Sequence, residues 1–127
     1  MPGFIDFKTL ERPSSPNTAL LAPQGFTPAA TPDGAAPVYN AAPAELYARA
    51  LDAVGAKPNW QLGEKDDAGL RLRFVAVSAL MRFKDDVDLV ILPAEGPPGK
   101  STFAAYSRSR VGYSDLGANR KRLDALS

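Results

Sequence analysis

"FKDDVDLVILPAEGPPGKSTFAAYSRSR", residues 83–110, is two strands and the turn between them. Val87, Leu89 and Ile91 fall on alternate positions, the period of a strand with one face in a core. "AEGPPGK" (residues 94–100) is a loop stiffened by two prolines, and "STFAAYSRSR" (residues 101–110) returns as the second strand. With the turn centred near Gly96 or Pro97, antiparallel pairing sets Asp86 opposite Ser107 and Asp85 opposite Arg108, within two residues. The acidic start of one strand and the basic end of the other therefore meet at one end of the sheet.

Upstream, "NWQLGEKDDAGLRLRFVAV" (residues 59–77) repeats the pattern. Trp60 and Leu62 alternate with polar residues, "KDDAG" is turn chemistry, and Leu70, Leu72 and Phe74 alternate with Arg71 and Arg73. Before it, "PAELYARALDAVGA" (residues 43–56) has helical spacing in Leu46, Tyr47, Ala50, Leu51 and Val54. Pro43 suits a first helical turn, Glu45 its positive end, and Gly55 a stop. After the last strand, "SDLGANRKRLDAL" (residues 114–126) reads as a closing helix capped by Ser114 or Asp115.

Residues 1–42 differ. They carry most of the chain's twelve prolines, which disfavour helix and central strand. Yet Phe4, Ile5, Phe7, Leu10, Leu20, Leu21, Phe26, Val38 and Tyr39 recur through them, which a linker does not need. We expect a proline-rich arm (1–42) laid on the surface of a single α+β domain (43–127), with packing on a neighbouring copy as the alternative. The domain is expected to be an antiparallel sheet of about four strands packed by two helices.

Composition narrows the chemistry. The chain has 127 residues, no cysteine and no histidine. That removes disulfides, thiol catalysis, a Ser-His-Asp triad and ordinary zinc or iron sites. No cofactor and no metal site is expected, since "DDVD" lacks the spaced loop of a calcium site. Net charge is +1 and no nucleic-acid motif is present, so "RKR" (residues 120–122) reads as a solvated helix face and no nucleic-acid partner is expected. No apolar run is long enough to span a bilayer, so a membrane is reached only through an anchor outside this chain.

What remains is a polar corner. The closing helix begins a few residues after the last strand, so its start hangs over the same sheet end. Asp85 and Asp86, Arg108, Ser109 and Arg110, and Asp115, Asn119 and Arg122 are expected to converge there. Three roles suit such a set. Guanidinium–carboxylate pairs lock a strand end to a helix start. Alternatively, a helix N-terminus beside arginines seats a small anion, although Asp115 would compete for the same amides. Or Asp85 or Asp86 acts as a general base, although neighbours in a strand point to opposite faces and cannot share one bond.

Two segments of this corner resemble a known family. "MRFKDDVDLVILP" (residues 81–93) followed by "YSRSRVGYSDLGANRKRLDAL" (residues 106–126) is similar to the DUF1499 family of uncharacterised bacterial and plastid proteins. The shared positions are Phe83, Asp85, Asp86, Val87, Ser107, Ser109, Arg110, Gly112, Asp115, Gly117, Asn119 and Arg122. "RPSSPNTALLAPQGF" (residues 12–26) adds to the likeness, which spans about residues 12 to 126. The resemblance brings no activity. Many members carry an export signal or membrane segment, which implies the periplasm or a membrane-anchored envelope setting, with the cytoplasm as the other possibility. The expected function is a non-catalytic, envelope-associated binding or interaction module for a small anionic ligand or a protein partner, in an undetermined oligomeric state. The alternative is a carboxylate-based enzyme.

Overall fold

The structure, a computed structural model, describes residues 4–12, 18–23, 25–77, 84–94, 99–110 and Arg122. Five strands form one antiparallel sheet: β1 (Thr18–Leu21), β2 (Trp60–Asp66), β3 (Arg71–Val77), β4 (Lys84–Pro93) and β5 (Ser101–Ser109). Their order across the sheet is β1-β5-β4-β3-β2. One helix, α1 (Pro43–Ala56), lies between β1 and β2 in sequence. The architecture is α+β, as expected, but with five strands rather than about four. The extra strand comes from the arm: "TALL" is free of proline and extends the outer side of β5, an edge position that proline-rich flanks tolerate. Among the described residues α1 is the one helix with a span, and Arg122 is helical as a single described position. The second helix, expected over residues 114–126, lies outside the described residues except for Arg122.

Period-2 alternation divides the sheet's side chains between two covered faces. Under α1 lie Leu72, Phe74, Val87, Leu89, Ile91, Phe103 and Ala105, which join Leu46, Tyr47 and Val54 in the main core. Trp60 stacks on Phe74 with ring centroids 4.7 Å apart. Burying side chains of this size contributes roughly 1.5–3 kcal/mol each. On the reverse face Leu20, Ala104 and Tyr106 pack against Phe7, with Ile5, Leu10, Phe26, Val90 and Leu92 around them. The arm is thus a cover for the second face.

Polar links hold the arm in place. Arg12 donates to the carbonyl and hydroxyl of Thr18 and pairs with Asp33 at 3.0 Å. Asp33 in turn accepts from the Leu20 amide at 2.8 Å. Farther on, Tyr39 and Ser101 exchange backbone hydrogen bonds, and the Ser101 hydroxyl donates to the Ala41 carbonyl. Those bonds carry the chain from the β1 edge across to α1.

Helix α1 begins with Pro43 in its first turn and Glu45 close behind. It runs through Gly55 to Ala56 instead of stopping at the glycine, and Lys57 turns extended beyond it. In the β2–β3 turn, Gly69 has a steric reason. A Cβ there would meet the Asp66 carboxylate, which accepts from the Gly69 amide.

The β4–β5 register places Asp86 opposite Arg108 and Asp85 opposite Ser109. This is one residue from the central expectation and within its stated range. The offset has a physical cause. Val87, Leu89 and Ile91 must share a face with Phe103 and Ala105, and a one-residue slip would carry one set out of the core.

Candidate functional site

The acidic run at the start of β4 is split by the pleat. Asp85 points to the α1 face, and Asp86 and Asp88 point to the arm face. The single corner expected from sequence is therefore two ion-pair networks on opposite sides of one sheet.

On the α1 face, Arg122 Nη2 lies 2.9 Å from Asp85 Oδ2, and its Nη1 donates to the Ser107 hydroxyl at 3.0 Å. The Arg122 and Asp85 side chains are only 12% and 11% exposed, so this pair is largely withdrawn from water. Ser109 stands directly across from Asp85. A residue near the C-terminus is thereby fastened to the middle of the sheet.

On the arm face, Arg110 grips Asp86 with two parallel donations, Nε to Oδ2 and Nη2 to Oδ1, each 2.8 Å. That two-point geometry is the strong form of an arginine–carboxylate pair. The fork holds the Asp86 carboxyl below its ordinary range, against a smaller opposing effect of burial, with the charges of Arg108 and Arg73 assisting. Reciprocally, Asp86 raises the Arg110 guanidinium.

Behind this pair sits Asp88, 1% exposed. Arg73 Nε approaches its Oδ1 at 3.1 Å, and the Ile5 amide donates to the same oxygen at 3.5 Å. Arg108 Nη1 lies 2.9 Å from Oδ2 but forms no hydrogen bond with it, so that contact is a charge pairing without the directional bond. Asp88 therefore ties β3, β4, β5 and the arm together.

A cleft of about 180 Å³ opens beside the Asp86–Arg110 pair, bounded by Gly63, Glu64, Arg73 and Val75. Arg73 also reaches Glu64 at 3.4 Å. Arg110 is 46% exposed at this mouth. The cleft is thus lined by guanidinium groups that already hold carboxylates.

Of the eight residues assigned to the corner from sequence, Asp86, Arg108 and Arg110 share the arm face, and Asp85, Ser109 and Arg122 share the other side. Asp115 and Asn119 lie outside the described residues. Sequence reasoning gave Asp88 and Arg73 no part in the corner. The signal was present: "RLRF" (residues 71–74) and "DDVD" (residues 85–88) alternate with the same period, and their register sets Arg73 opposite Asp88. Among the described residues no cluster of acidic side chains could hold a metal ion, and no helix is long and apolar enough to cross a membrane.

A search of curated proteins finds no match. The family model described as "Protein of unknown function (DUF1499)" matches residues 10–127, from the end of the arm's first segment to the last residue. That range takes in β1, both networks and every strand they join, and the chain belongs to the DUF1499 family.

Proposed function

We propose that this chain is a non-catalytic binding or interaction module of the cell envelope, in which the aspartate–arginine networks serve structure first and contact an anionic ligand second. One observation carries the first half. Each carboxylate of the corner is committed to a guanidinium: Asp85 to Arg122, Asp86 to Arg110, and Asp88 to Arg73 and Arg108. A general base works best with a pKa near the operating pH. Asp86 is moved the other way, to lower pKa.

The second half rests on Arg110. Its half-exposed guanidinium stands at the mouth of the cleft, where an incoming phosphate or carboxylate can share it with Asp86. The envelope setting follows from the family resemblance alone.

The test is a titration of the folded chain with inorganic phosphate, followed by amide and arginine Nε–H NMR. Saturable shifts at Arg108, Ser109 and Arg110 that vanish in Arg110→Ala are the expected result. Flat shifts would remove the anion-binding half. Turnover of a chromogenic ester or phosphoester, lost in Asp86→Asn with the fold intact, would overturn the non-catalytic half and favour the carboxylate enzyme.

A further inference from the structure

On the other face of the sheet, α1 does not close fully onto the strands. Its side toward β4 and β5 carries Ala50 and Ala53, one helical turn apart, next to Leu46. Across from them stand Leu89, Ile91 and Phe103, with Tyr39 at the side. Two alanines leave a gap of about 220 Å³ where larger side chains would have filled it. Well-packed interiors carry few voids larger than a water molecule, and an apolar cavity of about 150 Å³ already takes up benzene. The walls are alkyl and aromatic.

Among the described residues Arg49 is the one charged residue that lines this gap, and no carboxylate does. Arg49 is held by Glu45 one turn earlier at 2.7 Å, with both side chains more than half exposed. An i,i+4 pair so open to water is weak, and a ligand carboxylate can take its place. An apolar slot whose described lining carries one cationic residue matches an apolar chain with one terminal anion.

We infer that the cleft between α1 and strands β4 and β5 binds a medium-chain monocarboxylate, its alkyl tail between Ala50, Ala53, Leu89 and Ile91 and its carboxylate on Arg49. This goes beyond the function proposed above, whose anion sits at Arg110 on the reverse face. The two ligands are told apart by which arginine each needs.

Octanoate, titrated calorimetrically into the full chain, is the probe, with acetate and 1-octanol as the tail-less and charge-less comparisons. One saturable site for octanoate is expected, with no site for acetate. Arg49→Gln should weaken octanoate by about tenfold, the worth of a charge-assisted hydrogen bond. Its affinity for 1-octanol should not change. Ala53→Leu, which fills the gap, should abolish binding while leaving the far-UV circular dichroism unchanged. Should Ala53→Leu misfold, methyl NMR of the wild-type chain decides the matter. Octanoate shifts centred on Leu46, Leu89 and Ile91 support the site, and shifts elsewhere overturn it. Absence of saturable octanoate binding overturns the inference. So does binding that survives a folded Ala53→Leu. Octanoate binding lost in Arg110→Ala but kept in Arg49→Gln would overturn it too, while leaving the module proposed above standing.

Discussion

Three aspartates within four positions, Asp85, Asp86 and Asp88, meet different fates because the pleat sends them to different environments. Their arginine partners differ in exposure, and exposure sets what each pair is worth. The Asp85–Arg122 pair is nearly dry, so Arg122→Ala strands a carboxylate and should cost about 3 kcal/mol, the low end for a broken buried pair. Arg110 is half in water, and Arg110→Ala should cost no more than about 1 kcal/mol despite the better hydrogen-bond geometry. Thermal melts of the two variants check this, with Arg122→Ala the larger loss. Acid should act through Asp86. Its folded pKa lies below the ordinary 3.8, so its contribution is complete above that value and fades as pH falls through the folded pKa. Melting temperature should therefore fall less steeply below about pH 4 in Asp86→Asn than in the wild-type chain. The pairing of Asp86 with Arg110 was within reach of the sequence, because strand period and loop length fix the register. Arg122 was expected at this end of the sheet, but its choice of Asp85, and so of the other side, was not legible. A short link after the last strand gives the end of the sheet but carries no local signal for which face Arg122 reaches.

Helix α1 was legible almost to the residue, since proline at its start and a stripe of apolar positions are local signals. Its anchoring was not. The Tyr47 hydroxyl donates to Asp67 at 2.9 Å and also lies 3.2 Å from the Arg71 carbonyl, joining the helix to the β2–β3 turn. Burial, then the hydrogen bond to Asp67, push its pKa up to about 12. The raised value means the neutral phenol stabilises the fold below the ordinary value of 10, a contribution lost as pH climbs through about 12. Ultraviolet titration should find one tyrosine that ionises only near that pH, and Tyr47→Phe should remove it. Strand β1 is the opposite case. Four residues among prolines carry too little periodicity to announce a strand, and its partner lies far along the chain. The apolar residues of the arm said that it packs, and the structure adds that part of it pairs.

Both faces of the sheet are covered, one by α1 and one by arm residues on either side of β1. The arm's hold is mostly apolar. Phe7 is buried against Leu20, Ala104 and Tyr106, and its ring lies 5.9 Å from that of Phe26. Phe7→Ala should lower stability by roughly 2–3 kcal/mol, below the cost in a central core because the site is peripheral. It should also raise the fluorescence of an apolar dye as the reverse face opens, which a plain dye-binding assay reads.

The antiparallel match of Ala19 with Ser107 has a consequence in time. A ribosome releases the early segment long before it makes the late one, so β1, already bonded locally to Asp33 and Gly34, must wait for its strand partner until almost ninety further residues have emerged. Pairings so distant in sequence are slow to form because loop closure precedes any reward. The hairpins β2–β3 and β4–β5 are local and can assemble first. The edge strand and its proline-rich approach are expected to dock as the final act of folding, and to be the first to come away when the molecule is pulled from its amino end.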